Sequence, residues 1–326
     1  MREPGRAVQI RGTGSATPAQ EVPTARLLAL ALPGRDPVQL QPKIGIDSRG
    51  WLGPGESVTG LAAAAARGAL ASAGVSPGAL RRVVVATSTG GDHHIPTVAN
   101  GVIGELGLDD SCDGFDVHNA CTGFLSALDI GARSVATGLG PVLVVAVEAF
   151  SPALLPSAHR AYLVLGDAAA AVVLDEGEGT GLRPCFLANS AALRGRMVQP
   201  HLHTMAAPTY TFDTAGEVLL ASALEHISRA CGRVLDEAGL GWDDVDWFLP
   251  HQPNGHMLDA LVAAMGVPPG RLVPVVQRVG SVGAAAVPVS LDVLYRSGRL
   301  RPGDCVLMAT VGSGTAYGAV LYQVPG

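Results

Sequence analysis

The sequence predicts an α/β fold in which helices cover both faces of largely parallel sheets. Strand-like and helix-like segments alternate along the chain, which is the pattern of layered α/β proteins. Apolar residues make up 48% of the 326 residues, and charged residues only 15%. No apolar stretch approaches the roughly 20 residues that a membrane-spanning helix needs. The apolar content therefore predicts strands that are buried on both faces.

The first half of the chain is expected to contain five strands and two helices. Ser57 is a candidate N-cap for an alanine-rich helix, and Gly138 is placed to end the second helix. Valine-rich apolar runs indicate the strands, because β-branched residues fit a pleated, buried surface. In chain order we predict strand 7–12, helix 57–73, strands 82–87 and 115–118, helix 121–137, and strands 141–149 and 168–174.

The second half repeats this alternation after a long irregular stretch. Segments 152–163 and 177–212 lack clear periodicity, and we interpret them as loops that shape a substrate pocket. The predicted elements that follow are helix 217–238, strand 245–250, helices 256–265 and 288–296, and strands 304–310 and 317–324.

The two halves resemble each other faintly. In the first, a small-residue turn and Cys121 open a helix that two apolar strands follow. In the second, Gly283 opens a helix that is followed by strands in the same order and at similar offsets. No linker separates the halves, so we expect one compact unit made of residues 1–175 and 176–326.

Composition excludes several classes of function. The formal net charge is −6 and there is no basic run, so nucleic-acid binding is not expected. The N-terminus carries no apolar signal segment, and the five cysteines are scattered without a CxxC pair, which together favour a reduced, cytoplasmic protein. His201 and His203 lack a third ligand at suitable spacing, so no metal site is predicted.

Cys121 is the first candidate catalytic residue. It lies where a predicted strand breaks into a helix, and the helix macrodipole there favours a thiolate. The setting resembles a nucleophile elbow, although the Gly-x-Ser-x-Gly signature is absent. A buried structural cysteine is the alternative interpretation.

His251 and a glycine-rich segment are the next candidates. His251 ends an apolar strand, and imidazoles at strand ends can act as general bases. A satisfied structural histidine is the alternative interpretation. The segment 312–318 also follows an apolar strand, so its backbone amides could line an oxyanion hole.

Taken in order, these motifs resemble one family, the β-ketoacyl-acyl-carrier-protein synthase III enzymes of the thiolase-fold superfamily. The resemblance implies a five-layered αβαβα thiolase fold with two duplicated halves, and a homodimer. The matching segments are GTGSATP at 12–18, GIDSR at 45–49, DVHNACTGF at 116–124, GDAAAAVVL at 166–174, HQPN at 251–254 and VGSG at 311–314.

The resemblance also implies roles for individual residues. Cys121 would accept the acyl group, His251 would be its catalytic partner, and the amides of Cys121 and Ser313 would form the oxyanion hole. Ile95 falls where the family sends a residue across the dimer to close the partner's acyl pocket. The remaining substrate-binding candidates are Lys43, Arg160, Asn254 and Val311.

One departure from the family changes the expected reaction. The family's third catalytic residue is an Asn, and Ser281 stands at that position in GSVGAAAVP at 280–288. A serine offers one donor instead of two to the enolate of a decarboxylating malonyl thioester, and losing such a donor costs about 10²–10³ in rate. This departure therefore favours acyl transfer from Cys121 to a hydroxyl or amine, giving an ester or amide. The resemblance to family members that lack the Asn implies a role in secondary metabolism, as in polyketide pathways. Decarboxylative condensation is the alternative, and a non-catalytic partner subunit is a third hypothesis.

A second departure concerns the acyl donor. The family's adenine-gripping Trp falls near Gln39, and its carrier-docking basic residues fall at His256, Ala263 and Ala264. The expected donor is a thioester of coenzyme A or of an acyl carrier protein, with a small-molecule acceptor and no separate cofactor. Lys43, the only lysine, lies close to the expected pantetheine entrance.

Overall fold

The computed structural model describes residues 7–200 and 209–326. The elements of the first half are β1 (Ala7–Ala16), β2 (Glu21–Pro23), α1 (Thr24–Ala31), α2 (Pro37–Ile44), β3 (Ser48–Gly50), α3 (Val58–Ala73), β4 (Arg82–Ala86), α4 (Val98–Glu105), β5 (Asp113–Val117), α5 (Gly123–Ala136), β6 (Val142–Glu148), α6 (His159–Val164) and β7 (Ala168–Gly177). Those that follow are β8 (Gly181–Leu182), β9 (Phe186–Asn189), β10 (Met197–Val198), β11 (Thr211–Phe212), α7 (Gly216–Ala238), β12 (Trp247–Pro250), α8 (Gly255–Met265), α9 (Val276–Val279), α10 (Ala286–Arg296), β13 (Cys305–Val311) and β14 (Ala316–Gln323).

Two five-stranded mixed sheets form the frame of the molecule. The first has the order β1-β7-β6-β4-β5, in which β4 runs parallel to β5 and β6, while β7 is antiparallel to β6 and β1. In the second, β12 is parallel to β13, β13 is antiparallel to β14, and both β8 and β9 pair with β14. Most of these strands are buried on both faces, as the apolar composition predicts.

The hydrophobic core is divided into layers, which confirms the five-layered αβαβα thiolase fold. One cluster joins α3 and α4 to the outer face of the first sheet. A central cluster packs α5 and α10 between the inner faces of both sheets, with Phe124 and Leu291 among its members. A third cluster joins α7 and α8 to the outer face of the second sheet.

The two halves share one arrangement of helix and strands around this centre. The unit α5–β6–β7 corresponds in order and pairing to α10–β13–β14, since the second and third members are antiparallel neighbours in both. A single 3₁₀ turn precedes each helix, and the turns contain left-handed residues at equivalent places, Ala120 (φ 44°) and Gly283 (φ 51°). β7 ends at Gly177, two residues beyond the expected boundary between the halves.

The alanine-rich composition of α3 follows from its very close packing on β1. A Cβ atom on Gly14 would lie 2.3 Å from the backbone nitrogen of Ala69, and one on Gly12 would lie 2.3 Å from that of Ala73. The strand and helix backbones therefore touch, and only glycine opposite alanine fits. Ser57 caps this helix as predicted, because its hydroxyl accepts a hydrogen bond of 2.9 Å from the amide of Gly60.

Two predicted loops contain regular structure, so those predictions are wrong. Segment 152–163 contains most of α6, which packs on α1 in a fourth apolar cluster that includes Leu28 and Tyr162. Segment 177–212 contains four short strands, β8 to β11, of two to four residues each. Strands of this length pair by backbone hydrogen bonds and are too short to show a side-chain period.

Candidate active site

Cys121 lies in the 3₁₀ turn Ala120–Thr122 that joins β5 to α5. Ala120 adopts a left-handed conformation, which is uncommon for a residue with a Cβ and marks a constrained turn. Thr122 is fully buried, and its hydroxyl donates a hydrogen bond of 3.0 Å to the carbonyl of Ala316 at the start of β14. The turn is thereby fixed to the second half, with Cys121 between the two sheets.

The chemistry of the Cys121 thiol differs from the expectation. Burial and the nearby Glu148 carboxyl raise the pKa of Cys121 to about 12, although the residue as a whole is half-buried. The prediction that the helix terminus favours a thiolate is therefore wrong for the resting protein, because desolvation outweighs it. Cys121 is therefore a neutral thiol in the resting protein, and a reaction through its sulfur would need a base to remove the proton.

Two backbone amides point at the Cys121 sulfur. Hydrogen bonds from the amides of Ser313 and of Cys121 itself act to lower the pKa of the thiol, against the larger effect of burial. These are the two amides that the family resemblance assigns to the oxyanion hole. Gly312 allows this approach, because a Cβ on it would lie 3.0 Å from the Cys121 nitrogen. The Ser313 hydroxyl is directed elsewhere and donates to the carbonyl of Met197.

His251 follows β12 and is held against β13 in the second sheet. Its amide donates a hydrogen bond of 2.8 Å to the carbonyl of Ala309, three residues before Gly312. The side chain is buried, and burial lowers the pKa of His251 to about 4. The imidazole is consequently neutral above that pH and can accept a proton.

Gln252 fixes the segment that carries His251, a role that the sequence reasoning missed. Its side-chain nitrogen donates to the carbonyl of Val273 and to the Ser290 hydroxyl, both at 3.0 Å. Its side-chain oxygen accepts from the amides of Val275 and Val276 at 2.9 and 3.1 Å. All of its hydrogen-bonding groups are used within the core, so it anchors His251 to α10 and α9.

Ser281 lies two residues before the second-half 3₁₀ turn Gly283–Ala285, which packs against the Cys121 turn. It is buried, and its amide donates a hydrogen bond of 2.7 Å to the carbonyl of Val164. A Cβ on Gly123, at the start of α5, would lie 3.5 Å from the Cβ of Ala284. The structure thus brings the segments of Cys121, Ser313, Ser281 and His251 to the same central region.

Glu148 joins the turns of the two halves and was not predicted. It is fully buried at the end of β6 and accepts hydrogen bonds from the amides of Ser88 and Thr89 at 3.0 and 3.1 Å. The amide of Ala284 donates to its other oxygen at 3.3 Å. Burial raises the pKa of Glu148 to about 7. A lone acidic residue at the end of the strand VLVVAVE was the available signal.

The other predicted site residues lie outside this central region. Lys43 is exposed in the last turn of α2, and Ile95 is 81% exposed, preceding a cis peptide bond to Pro96. The side chain of Asn254 caps α8 by accepting a 2.9 Å hydrogen bond from the amide of Met257, so its oxygen serves the fold. Val311 is half-buried at the end of β13 and packs on the outer cluster of the second sheet.

Arg160 lines a cleft of about 390 Å³ whose residue Tyr210 is close enough to Cys121 to interact with it electrostatically. Its guanidinium lies 5.3 Å from the centre of the Phe212 ring and donates to the carbonyl of Thr214. Tyr210 lines the same cleft, and burial together with the charges of Glu148, Asp167 and Cys121 raises the pKa of its phenol. The cleft is therefore within electrostatic reach of Cys121.

The exposed face of α8 carries little positive charge. His256, Asp259, Ala263 and Ala264 are its exposed residues in the first three turns, and none is Lys or Arg. This agrees with the sparse donor-docking residues in the sequence. Gln39 is likewise exposed, on α2.

Within 7–200 and 209–326, no group of three or more His, Cys, Asp or Glu side chains could hold a metal ion. His201 and His203 fall outside the described residues. None of the described helices combines the length and apolar character of a membrane span.

Comparison with known proteins identifies the family. Residues 115–189 match 3-oxoacyl-[acyl-carrier-protein (ACP)] synthase III, and residues 235–324 match the C-terminal part of the same description. The chain belongs to this family of thiolase-fold enzymes that act on acyl thioesters. It is similar to β-ketoacyl-[acyl-carrier-protein] synthase III of Rhizorhabdus wittichii, with 35% identity over 96% of this chain and 98% of that protein. The corresponding protein of Erythrobacter litoralis is 34% identical over 96% of this chain and 98% of its own length.

Solved structures agree with this assignment. The 3-oxoacyl-(acyl carrier protein) synthase III of Pseudomonas aeruginosa PAO1 superposes with a TM-score of 0.89 at 30% identity, covering 98% of this chain and 99% of that one. The priming β-ketosynthase of the R1128 polyketide biosynthetic pathway gives a TM-score of 0.91 at 30% identity, covering 100% and 98%. These names favour decarboxylative condensation, the alternative function, over the acyl transfer to a hydroxyl or amine that the sequence favoured.

Proposed function

We propose that Cys121 accepts an acyl group from a thioester and holds it as a covalent intermediate. The convergence of the Ser313 and Cys121 amides on the Cys121 sulfur carries this proposal. The sulfur attacks the thioester carbonyl, the thiol proton passes to His251, and the donor leaves as a thiol after taking that proton. The two amides stabilise the oxyanion that develops at the carbonyl oxygen.

For the second step we put carbon–carbon condensation first, because the relatives of known name are condensing enzymes. A malonyl thioester would lose CO₂, and the resulting enolate carbon would attack the acyl carbonyl. The bond to Cys121 then breaks, and the sulfur, which carries the negative charge that the malonyl carboxylate brought, takes a proton from solvent. We propose that the hydroxyl of Ser281 donates a hydrogen bond to the enolate oxygen in this step.

Transfer to a hydroxyl or amine is the second candidate, and Ser281 is the observation that favours it. A single hydroxyl gives the enolate fewer donors than an Asn amide would. In this reaction the acceptor attacks the acyl carbonyl, its proton passes to neutral His251, and Cys121 leaves and recovers a proton. The product is an ester or amide, which suits a role in secondary metabolism.

The first test is the intact mass of the protein after exposure to acetyl-CoA. We expect one acetyl adduct on the wild type and none on Cys121→Ala, while the matched variant Cys112→Ala keeps the adduct. An equal adduct on Cys121→Ala, or none on the wild type, would refute the covalent role and favour a non-catalytic partner subunit.

The second test separates the two second steps. Acetylated protein is mixed with malonyl-CoA, and CO₂ and β-keto product are measured for the wild type and for Ser281→Asn. Rapid release by the wild type supports condensation. If CO₂ release is slow in the wild type and rises about 10²–10³-fold in Ser281→Asn, the result supports transfer to a hydroxyl or amine in the native protein.

The donor and the assembly complete the proposal. A thioester of coenzyme A or of an acyl carrier protein would enter past Lys43 and Arg160, with no other cofactor. We also propose a homodimer in which exposed Ile95 closes the acyl pocket of its partner. Light scattering should give twice the 33.1 kDa chain mass, and Ile95→Gly should admit longer acyl groups to Cys121. A monomer with unchanged acyl-length preference would contradict this.

A further inference from the structure

Two buried polar atoms near the site have no hydrogen-bond partner among the described residues. One is Nδ1 of His251 and the other is Oγ1 of Thr310. Both residues are buried, Thr310 completely. A buried polar group without a partner costs about 1–3 kcal/mol, so two such groups in one region call for an explanation.

The register of the second sheet makes these two residues neighbours. β12 and β13 are parallel, with Leu249 opposite Met308 and Pro250 opposite Ala309. One step further along the same ladder places His251 beside Thr310, and the 2.8 Å hydrogen bond from the His251 amide to the Ala309 carbonyl continues the pairing.

Both side chains belong to the same face of the sheet. Leu249 and Met308 lie in the central apolar cluster, whereas Phe248 and Leu307 lie in the outer one. Because side chains alternate along a strand, residues two positions beyond Leu249 and Met308 face the central layer too. On the other side of Thr310 its partner in β14 is Gly318, where a Cβ would lie 2.7 Å from Cδ2 of Leu187, so an apolar side chain fills that position and offers the threonine hydroxyl no partner.

Neighbouring positions on paired strands are about 4.8 Å apart. A rotation of the threonine side chain, or one water molecule between the two atoms, is sufficient to connect them across that distance. The oxygen of the threonine hydroxyl can accept a hydrogen bond from an imidazole N–H, and the hydroxyl can still donate its own hydrogen elsewhere.

We infer that Thr310 is a positioning residue for His251: its hydroxyl, directly or through one water, accepts from Nδ1–H and leaves the Nε2 lone pair as the base. The inference rests on the proposed role of His251 in acyl transfer. It adds a specific reason for the tautomer, because the partner of one ring nitrogen decides which nitrogen carries the proton.

Other ionisable groups do not account for the neutral protonation state of the His251 imidazole. The central layer also holds Cys121 on the turn before α5, Glu148 at the end of β6, Asp292 on α10 and Tyr322 on β14. Burial lowers the pKa of His251, and it is the single cause that acts on this group. A neutral hydroxyl partner fits this environment, since it orients the ring without adding a charge.

The test uses full-length protein labelled with ¹⁵N-histidine. Ring nitrogen shifts of His251, assigned with His251→Gln, report the tautomer without requiring any activity. Thr310→Val removes the hydroxyl at nearly constant shape, Thr310→Ser keeps it, and Thr24→Val removes a buried hydroxyl that donates to Ile46 far from the site. We expect Nδ1–H in the wild type, Thr310→Ser and Thr24→Val, and a mixture or Nε2–H in Thr310→Val.

Discharge of the acetylated protein to N-acetylcysteamine provides the functional readout. Here the acceptor sulfur attacks the acetyl carbon, its proton passes to Nε2 of His251, and the Cys121 sulfur leaves and takes that proton. We expect Thr310→Val to be slower by about tenfold or more, with Thr310→Ser close to the wild type.

The outcomes separate the two proposals. If Thr310→Val keeps the wild-type tautomer, or if Thr310→Ser behaves like Thr310→Val, the inference about Thr310 is wrong. If the tautomer changes as expected but Cys121 is never acetylated in the wild type, the inference stands and the proposed function fails.

Discussion

At the scale of single residues, Cys121 and His251 both rest in their neutral forms. Burial raises the pKa of the thiol to about 12 and lowers the pKa of the imidazole to about 4. A preformed thiolate–imidazolium pair would require both shifts to be reversed. The proton transfer is therefore expected to accompany attack on the thioester, when the two amides can stabilise the developing charge.

Removal of the Glu148 charge should make Cys121 more reactive. Glu148→Gln keeps the shape and an acceptor oxygen but loses the negative charge that helps to raise the pKa of the thiol. The midpoint of the pH dependence of alkylation by iodoacetamide should fall by roughly one pH unit. Glu105→Gln, which changes a surface ion pair with Arg67, is the control and should leave the midpoint unchanged. An unchanged midpoint in Glu148→Gln would show that its charge does not act on the thiol.

The sequence was informative about residues whose role depends on backbone position. Cys121 and Ser313 could be found because a strand-to-turn break and a glycine-rich turn are visible as patterns. Thr310 and Gln252 could not be assigned roles, since their partners lie on other strands and helices and depend on register. Asn254 shows the converse: its position in a motif suggested substrate binding, yet its side chain caps a helix.

At the scale of secondary-structure elements, the contact between β1 and α3 is a tight constraint on both elements. The backbones meet at Gly14, where a Cβ would lie 2.3 Å from one α3 backbone atom and 2.4 Å from another. Neither strand nor helix can shift alone, because β1 is paired along its whole length with β7. The glycine is required here for close approach and not for its backbone conformation.

Gly14→Ala should therefore destabilise the protein by about 1–3 kcal/mol or more, as overpacking does. Gly104→Ala is the matched control, since it lies exposed in α4 with nothing within 4 Å of the added Cβ, and should stabilise by up to about 1 kcal/mol. Urea unfolding of both variants and the wild type measures the difference. Equal free energies of unfolding for Gly14→Ala and the wild type would contradict this, because they would show that α3 can move away from β1 at little cost.

Long helices were predictable from the sequence, whereas the short helix α2, which contains two prolines, was not. Helices 57–73 and 217–238 agree with α3 and α7 to within one residue at either end, because their patterns extend over four or more turns. α2 was missed because two prolines interrupt its pattern, although Asp36 caps it and Pro37 occupies its first turn. The helix predicted from residue 121 starts at Gly123, since the preceding residues form the constrained 3₁₀ turn Ala120–Thr122.

At the scale of the whole molecule, Glu148 and His251 have opposite effects on the pH dependence of stability. The folded state raises the pKa of Glu148 from 4.5 to about 7, so the folded protein binds more protons than the unfolded chain across that range. The contribution of Glu148 to stability is present at low pH and is lost as the pH rises to about 7. His251 acts the other way between about 4 and 6.5, because its folded-state pKa is lowered.

Glu148→Gln should therefore gain stability relative to the wild type as the pH rises from about 4.5 to 7.5, by up to about 3 kcal/mol. Urea unfolding at several pH values gives the free energies of unfolding. Glu105→Gln should show no such trend, because Glu105 is on the surface. A constant difference between Glu148→Gln and the wild type across this range would contradict the assigned shift.

The turn Ala120–Thr122 lies between the two sheets and is tied to the second half by the Thr122 hydrogen bond and by the close approach of Gly312. A segment in this position cannot open by itself, because local fraying would have to separate the central layer. The backbone amides at 121–123 should consequently exchange with deuterium as slowly as those of the buried strands β6 and β13. The groups that we propose to react would then be as rigid as the core of the protein. The cleft beside Arg160 would be the part of the site that can adapt its shape.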